Sequence, residues 1–151
     1  VNKKVIVGIA LGVILLTSVV GVMSVSPPAD TEKIKDIEMK REQKLDVIDN
    51  ASLAWQQEVI TDEQFIDVID QSIIDTDSLR NEYSALNLPR TYDKYKQLSI
   101  DSLDKQKEAF LKLKAYVQTD DPETEKLLRA EFDQLLVTSF EFRRDALREL
   151  N

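Results

Sequence analysis

Beyond about residue 29 the apolar residues recur every three or four positions, which is the period of an amphipathic helix. No stretch shows the two-residue alternation of a half-buried strand. Four such helical runs follow one another. The first runs from about Ala29 to Val59, with a stripe of Ile34, Ile37, Leu45, Ile48, Trp55 and Val59. Arg41 falls on the same line and is expected to snorkel at the stripe's edge. The second begins at Thr61 and carries Phe65, Ile69, Ile73, Thr76, Leu79, Tyr83 and Leu86. The third spans about Arg90 to Gln118 with Tyr92, Tyr95, Leu98, Leu103, Phe110, Leu113 and Val117 inward. The fourth runs from Pro122 almost to Asn151 on Leu128, Phe132, Leu135, Phe142, Ala146 and Leu150, and Leu136, Phe140 and Leu147 widen its face.

The punctuation agrees with the periodicity. Thr61 and Gln64 have the spacing of a capping box, with Ile60 and Phe65 placed as a hydrophobic staple. Asp121 is the expected N-cap of the fourth helix and Pro122 its first residue. Every proline (27, 28, 89 and 122) falls where a helix should begin. Short turns between helices of similar length predict an all-α fold: an antiparallel up-down-up-down four-helix bundle over residues 27–151.

Residues 1–26 read differently. Val5 to Val25 is an uncharged run of 21 residues, VIVGIALGVILLTSVVGVMSV, about 31 Å long as a helix and matched to a hydrocarbon core of about 30 Å. It is expected to be a single transmembrane signal-anchor helix contacting the lipid bilayer through residues 5–25. Lys3 and Lys4 mark the N-terminal stub as cytoplasmic and place the bundle outside the membrane. A cleaved signal peptide with processing near Val22-Met23-Ser24, giving a secreted protein, is the alternative. Gly8 and Gly12 share one face and are candidates for close packing of two such helices in a homodimer.

Composition removes most chemistry. The chain has no cysteine and no histidine, and its three glycines all lie in the first 21 residues. Disulfides, thiolate or imidazole metal sites and glycine-rich phosphate loops are excluded. Asp75-Thr76-Asp77 lacks the frame of a calcium loop. No metal, cofactor or catalytic residues are expected, and the chain does not read as an enzyme.

Charge adds a direction. Outside residues 1–26 there are 18 basic and 28 acidic residues, a net −10. Up-down order puts residues 48–75 and 106–136 farthest from the membrane, and these carry a net −9. No Lys or Arg occurs between Lys44 and Arg80. Such a tip either solvates the domain or docks a cationic partner. Nucleic acid is not an expected partner. Arg143, Arg144 and Arg148 cluster at the end of helix four, where they would compensate the helix dipole or meet lipid headgroups.

Some inward positions are polar: Ser72 and Thr76 on helix two, Ser99, Ser102 and Gln106 on helix three, and Ser139 on helix four. Counting out from the turns sets Ser102 opposite Ser139, Thr76 opposite Ser102 and Ser72 opposite Gln106. A polar layer at mid-height either fixes helix register or lines a small-ligand pocket. The layout resembles the exported four-helix sensor domains of bacterial chemoreceptors, a likeness of arrangement that no motif carries. The function expected is an accessory or protein-interaction module on the membrane, with a ligand-binding bundle as the alternative.

Overall fold

The computed structural model describes residues 30–150. The uncharged run at 5–25, expected to be a membrane helix, lies outside the described residues, as do Gly8 and Gly12 within it. Among the described residues no helix is long and apolar enough to cross a membrane.

The elements of the described residues are all helical: α1 (Thr31–Gln56), α2 (Asp62–Ala85), a 3-10 turn (Arg90–Tyr92), α3 (Asp93–Gln118) and α4 (Pro122–Arg148). The described residues contain four helices of 24 to 27 residues, each about 36–40 Å long. α2 starts on a complete capping box, with the Gln64 N–H donating to Thr61 Oγ1 at 3.2 Å and the Thr61 N–H to Gln64 Oε1 at 2.9 Å. α4 starts on Asp121, whose carboxylate accepts the Thr124 N–H at 2.9 Å, with Pro122 in the first turn.

α1 ends earlier than its stripe suggested. Its last turn closes at Gln56, and Val59, expected inside, is 70 % exposed. The Val59 N–H donates to the Ala54 carbonyl and the Glu58 N–H to the Trp55 carbonyl, the paired bonds of a Schellman motif. This motif requires a left-handed residue, and here that residue is Glu58, at φ 60°. Without a glycine near this turn, a side chain with a Cβ is held where glycine is ordinarily preferred.

Successive helices pack side by side, most closely α3 on α4. By contrast, no Cα of α1 comes within 8 Å of one on α4. The seam between first and last helix is therefore wide, and long side chains bridge it.

The apolar core falls into two parts. One lies toward the α1–α2 and α3–α4 turns, around Ile48, Trp55, Phe65, Phe110 and Phe132. There Trp55 stacks on Phe65 with centroids 4.9 Å apart, and its indole N–H donates to Asp62 at 2.7 Å. The other lies toward the start of α1, around Ile34, Ile37, Leu79, Tyr83 and Tyr95. Between them sits a layer of polar and charged side chains.

Candidate functional site

All six polar positions picked out from the sequence are buried; Ser72, Thr76, Gln106 and Ser139 lie between the two apolar clusters, Ser102 borders them, and Ser99 sits within the cluster toward the start of α1. Ser102 meets Ser139 across α3 and α4. Each hydroxyl donates to the other residue's carbonyl oxygen, at 2.7 and 2.8 Å. These carbonyls already serve their own helices, so the serines use the second lone pair. Small side chains let the two backbones come this close.

The α2–α3 pairing differs from the expected one. Gln106 donates to Thr76 at 3.3 Å and faces neither Ser72 nor the height assigned to it. Ser72 donates instead to the Val68 carbonyl of its own helix. Counting symmetrically about Pro89 fails because the linker enters and leaves in extended backbone, with ψ 127° at Leu86 and 150° at Pro89. Extended backbone climbs about 3.1–3.3 Å per residue against 1.5 Å in a helix, so α3 starts lower than α2 ends. Lys96 of α3 accordingly reaches back to the Ser84 and Leu86 carbonyls, at 2.7 and 2.9 Å, and closes the end of α2.

The layer also contains charges that the stripe reading misplaced. Arg41 does not snorkel: it is 0 % exposed. Its Nη2 donates to Ser102 Oγ at 2.7 Å and to Gln106 Oε1 at 2.9 Å. Its Nε and Nη1 are buried and make no hydrogen bond within the protein. Arg143 is not part of a membrane-facing cluster. It is buried, and its Nε and Nη2 donate to Glu38 Oε2 at 3.0 and 2.8 Å. Its Nη2 also reaches the exposed Glu42 at 3.1 Å. Arg144 and Arg148 do remain outside, where both bond Asp145.

Glu38 joins three helices. Its second oxygen accepts from the hydroxyls of Tyr83 on α2 and Tyr95 on α3. Burial alone would raise its pKa. The Arg143 and Arg41 cations, with hydrogen bonds from Tyr83 and Arg143, outweigh burial and hold the carboxyl below its ordinary value. Burial first and Glu38 second push the Tyr83 hydroxyl well up, so it stays a donor. Burial, then Arg143, lowers Arg41, though an arginine remains protonated.

Glu38 was not singled out from the sequence. The available signal was its position: Ile34, Ile37, Glu38, Arg41 and Leu45 share one helical face.

At the far end the surface charge is uneven. Lower on the bundle, lysines answer the acids of α2: Lys44 meets Asp75 at 3.0 Å, Lys107 meets Asp77 at 2.7 Å and Lys114 meets Asp70 at 2.7 Å. α1 carries no basic residue beyond Lys44 and α3 none beyond Lys114, while α4 resumes with Lys126 and Arg129. Residues 45–69 and 115–125, which meet at this end, hold ten Asp and Glu and no Lys or Arg. Leu53, Val59 and Leu127 are exposed in the same region.

Comparison with known protein families, curated proteins and solved structures finds no match.

Proposed function

We propose that the protein is a membrane-tethered interaction module, in which an N-terminal anchor carries an acidic helical bundle whose far tip engages a partner with a cationic surface. One observation carries this reading: acids are answered by lysines along the shaft, while residues 45–69 and 115–125 hold ten Asp and Glu and no basic residue, the next bases on α4 being Lys126 and Arg129. A tip of one sign speeds encounter with an oppositely charged surface, and the effect weakens as salt rises. Exposed Leu53, Val59 and Leu127 supply apolar contact area beside the charge. The uncharged run at 5–25 and the two lysines before it support the tether and its orientation.

The intact protein, isolated from its native membrane, is expected to bring down a partner whose yield falls with salt. Lysine replacements at the exposed Glu63, Asp67 and Glu123 should release it, while Glu141→Lys on the near half should not. Retention by the triple variant, or a protein found only in the medium with a new N-terminus near Val25, would count against this reading.

A further inference from the structure

The polar layer carries a charge imbalance that docking at the tip does not use. Two guanidinium groups, Arg41 and Arg143, are buried there beside one buried carboxylate, Glu38. Glu38 takes its ion pair from Arg143 and its remaining hydrogen bonds from Tyr83 and Tyr95. Glu42 touches only Arg143 and is more than half exposed, so water screens it. Arg41 is left with a full positive charge inside the bundle and no hydrogen-bonded carboxylate.

Arg41 is also under-used as a donor. Ser102 and Gln106 fix Nη2 from one side and orient the planar group. Nε and Nη1 make no bond to the protein. A buried cation is stable only when paired and hydrogen-bonded. Water could accept these N–H groups, but being neutral it would add nothing to the partial compensation that Glu38, shared with Arg143, gives Arg41. An anion with oxygen acceptors answers both needs, and carboxylates are the natural match to a guanidinium.

The layer lies at the widest seam of the bundle. α1 and α4 are set apart, with no Cα pair within 8 Å, and at this height long side chains close the seam. The closure is Glu38 to Arg143, with Glu42 at the outer edge and Arg41 behind.

We infer that the polar layer binds one small carboxylate-type monoanion, held by the unpartnered N–H groups of Arg41 and admitted through the α1–α4 seam. Ser102 and Gln106 position the guanidinium, and the Glu38–Arg143 pair closes behind the ion. The inference is independent of docking at the tip.

The test uses the whole chain in nanodiscs, labelled with 15N-arginine. Its seven arginines give few Nε–H signals, and the one missing from Arg41→Lys identifies Arg41. Formate and acetate are titrated at constant ionic strength, with gluconate as the balancing anion. The expected result is a saturable shift of the Arg41 signal, with Arg144 and Arg148 unmoved over the same range. The melting temperature should rise along the same saturation curve, and Arg41→Gln should abolish that rise. A flat Arg41 signal, or a drift in step with Arg144 and Arg148, overturns the inference. Should Arg41→Lys fail to fold, Arg→Lys replacements at Arg80, Arg90, Arg129, Arg144 and Arg148, none of them buried, assign those five signals and leave only Arg41 and Arg143, and a flat response of both overturns the inference.

Discussion

Arg143 of α4 donates through two nitrogens to Glu38 of α1, 105 residues earlier, at 2.8 and 3.0 Å, and both side chains are buried. This is the only ion pair among the described residues with both side chains below a tenth exposed. It ties the first helix to the last where their backbones stay apart. A buried pair of this kind contributes little relative to a well-packed apolar pair, yet removing one partner is severe, because the other stays buried and charged.

Arg143→Met is therefore expected to destabilise the protein by about 3–5 kcal/mol in urea unfolding. Adding Glu38→Gln should recover part of that loss, since a neutral amide no longer needs a cation and its oxygen can still accept from Tyr83. A double variant less stable than Arg143→Met would show that Arg41 and the tyrosines, not Arg143, carry the compensation of Glu38.

The legible and illegible parts of this fold separate along one physical line. Helix starts are local: Thr61 with Gln64, and Asp121 with Pro122, satisfy backbone donors within three residues. The Ser102–Ser139 contact was within reach because the turn between α3 and α4 is tight and counting outward holds. The α2–α3 register was lost in the extended linker ending at Pro89. Arg41 and Arg143 were misread because a charge on an apolar stripe has two solutions, snorkelling or pairing. The choice depends on partners far away in sequence: Ser102 and Gln106 for Arg41, Glu38 for Arg143. Nothing near Arg41 reveals them.

The start of α2 offers a local check. Thr61→Ala removes the acceptor for the Gln64 N–H and is expected to cost about 1 kcal/mol. Thr61→Ser should retain nearly all of the stability. Equal losses in both variants would mean that packing of the threonine methyl, and not the cap, is what the site contributes.

The end of α1 predicts a gain. Glu58 sits at φ 60° in the left-handed position of the Schellman motif. A non-glycine residue there costs roughly 1–2 kcal/mol relative to an unstrained backbone. Glycine also loses more chain entropy on folding, which offsets part of this. Glu58→Gly is expected to stabilise by about 1 kcal/mol, with Glu58→Asn between glycine and the natural chain. Chemical unfolding at neutral pH reads both, and a destabilised Glu58→Gly would show that the glutamate side chain holds the turn.

Asp49 gives the chain a pH dependence opposite in sign to that of Glu38. Burial first, and the neighbouring Asp46 second, push the Asp49 carboxyl up to about 7, and its Oδ1 is buried without a partner. The folded state thus holds a proton that the unfolded chain releases near 3.8, so stability falls as pH rises from about 4 to about 7. Glu38 is held below its ordinary value of 4.5, so its contribution is complete above that value. That contribution is lost as pH falls through the lowered folded value. Asp49→Asn removes the first effect and leaves the second. Its melting temperature should exceed that of the natural chain at pH 8, the gap should close as pH drops below 4, and both proteins should lose stability together in stronger acid. A gap of constant size across this range would mean that Asp49 titrates alike in the folded and unfolded chains, and that the substitution acts through packing alone.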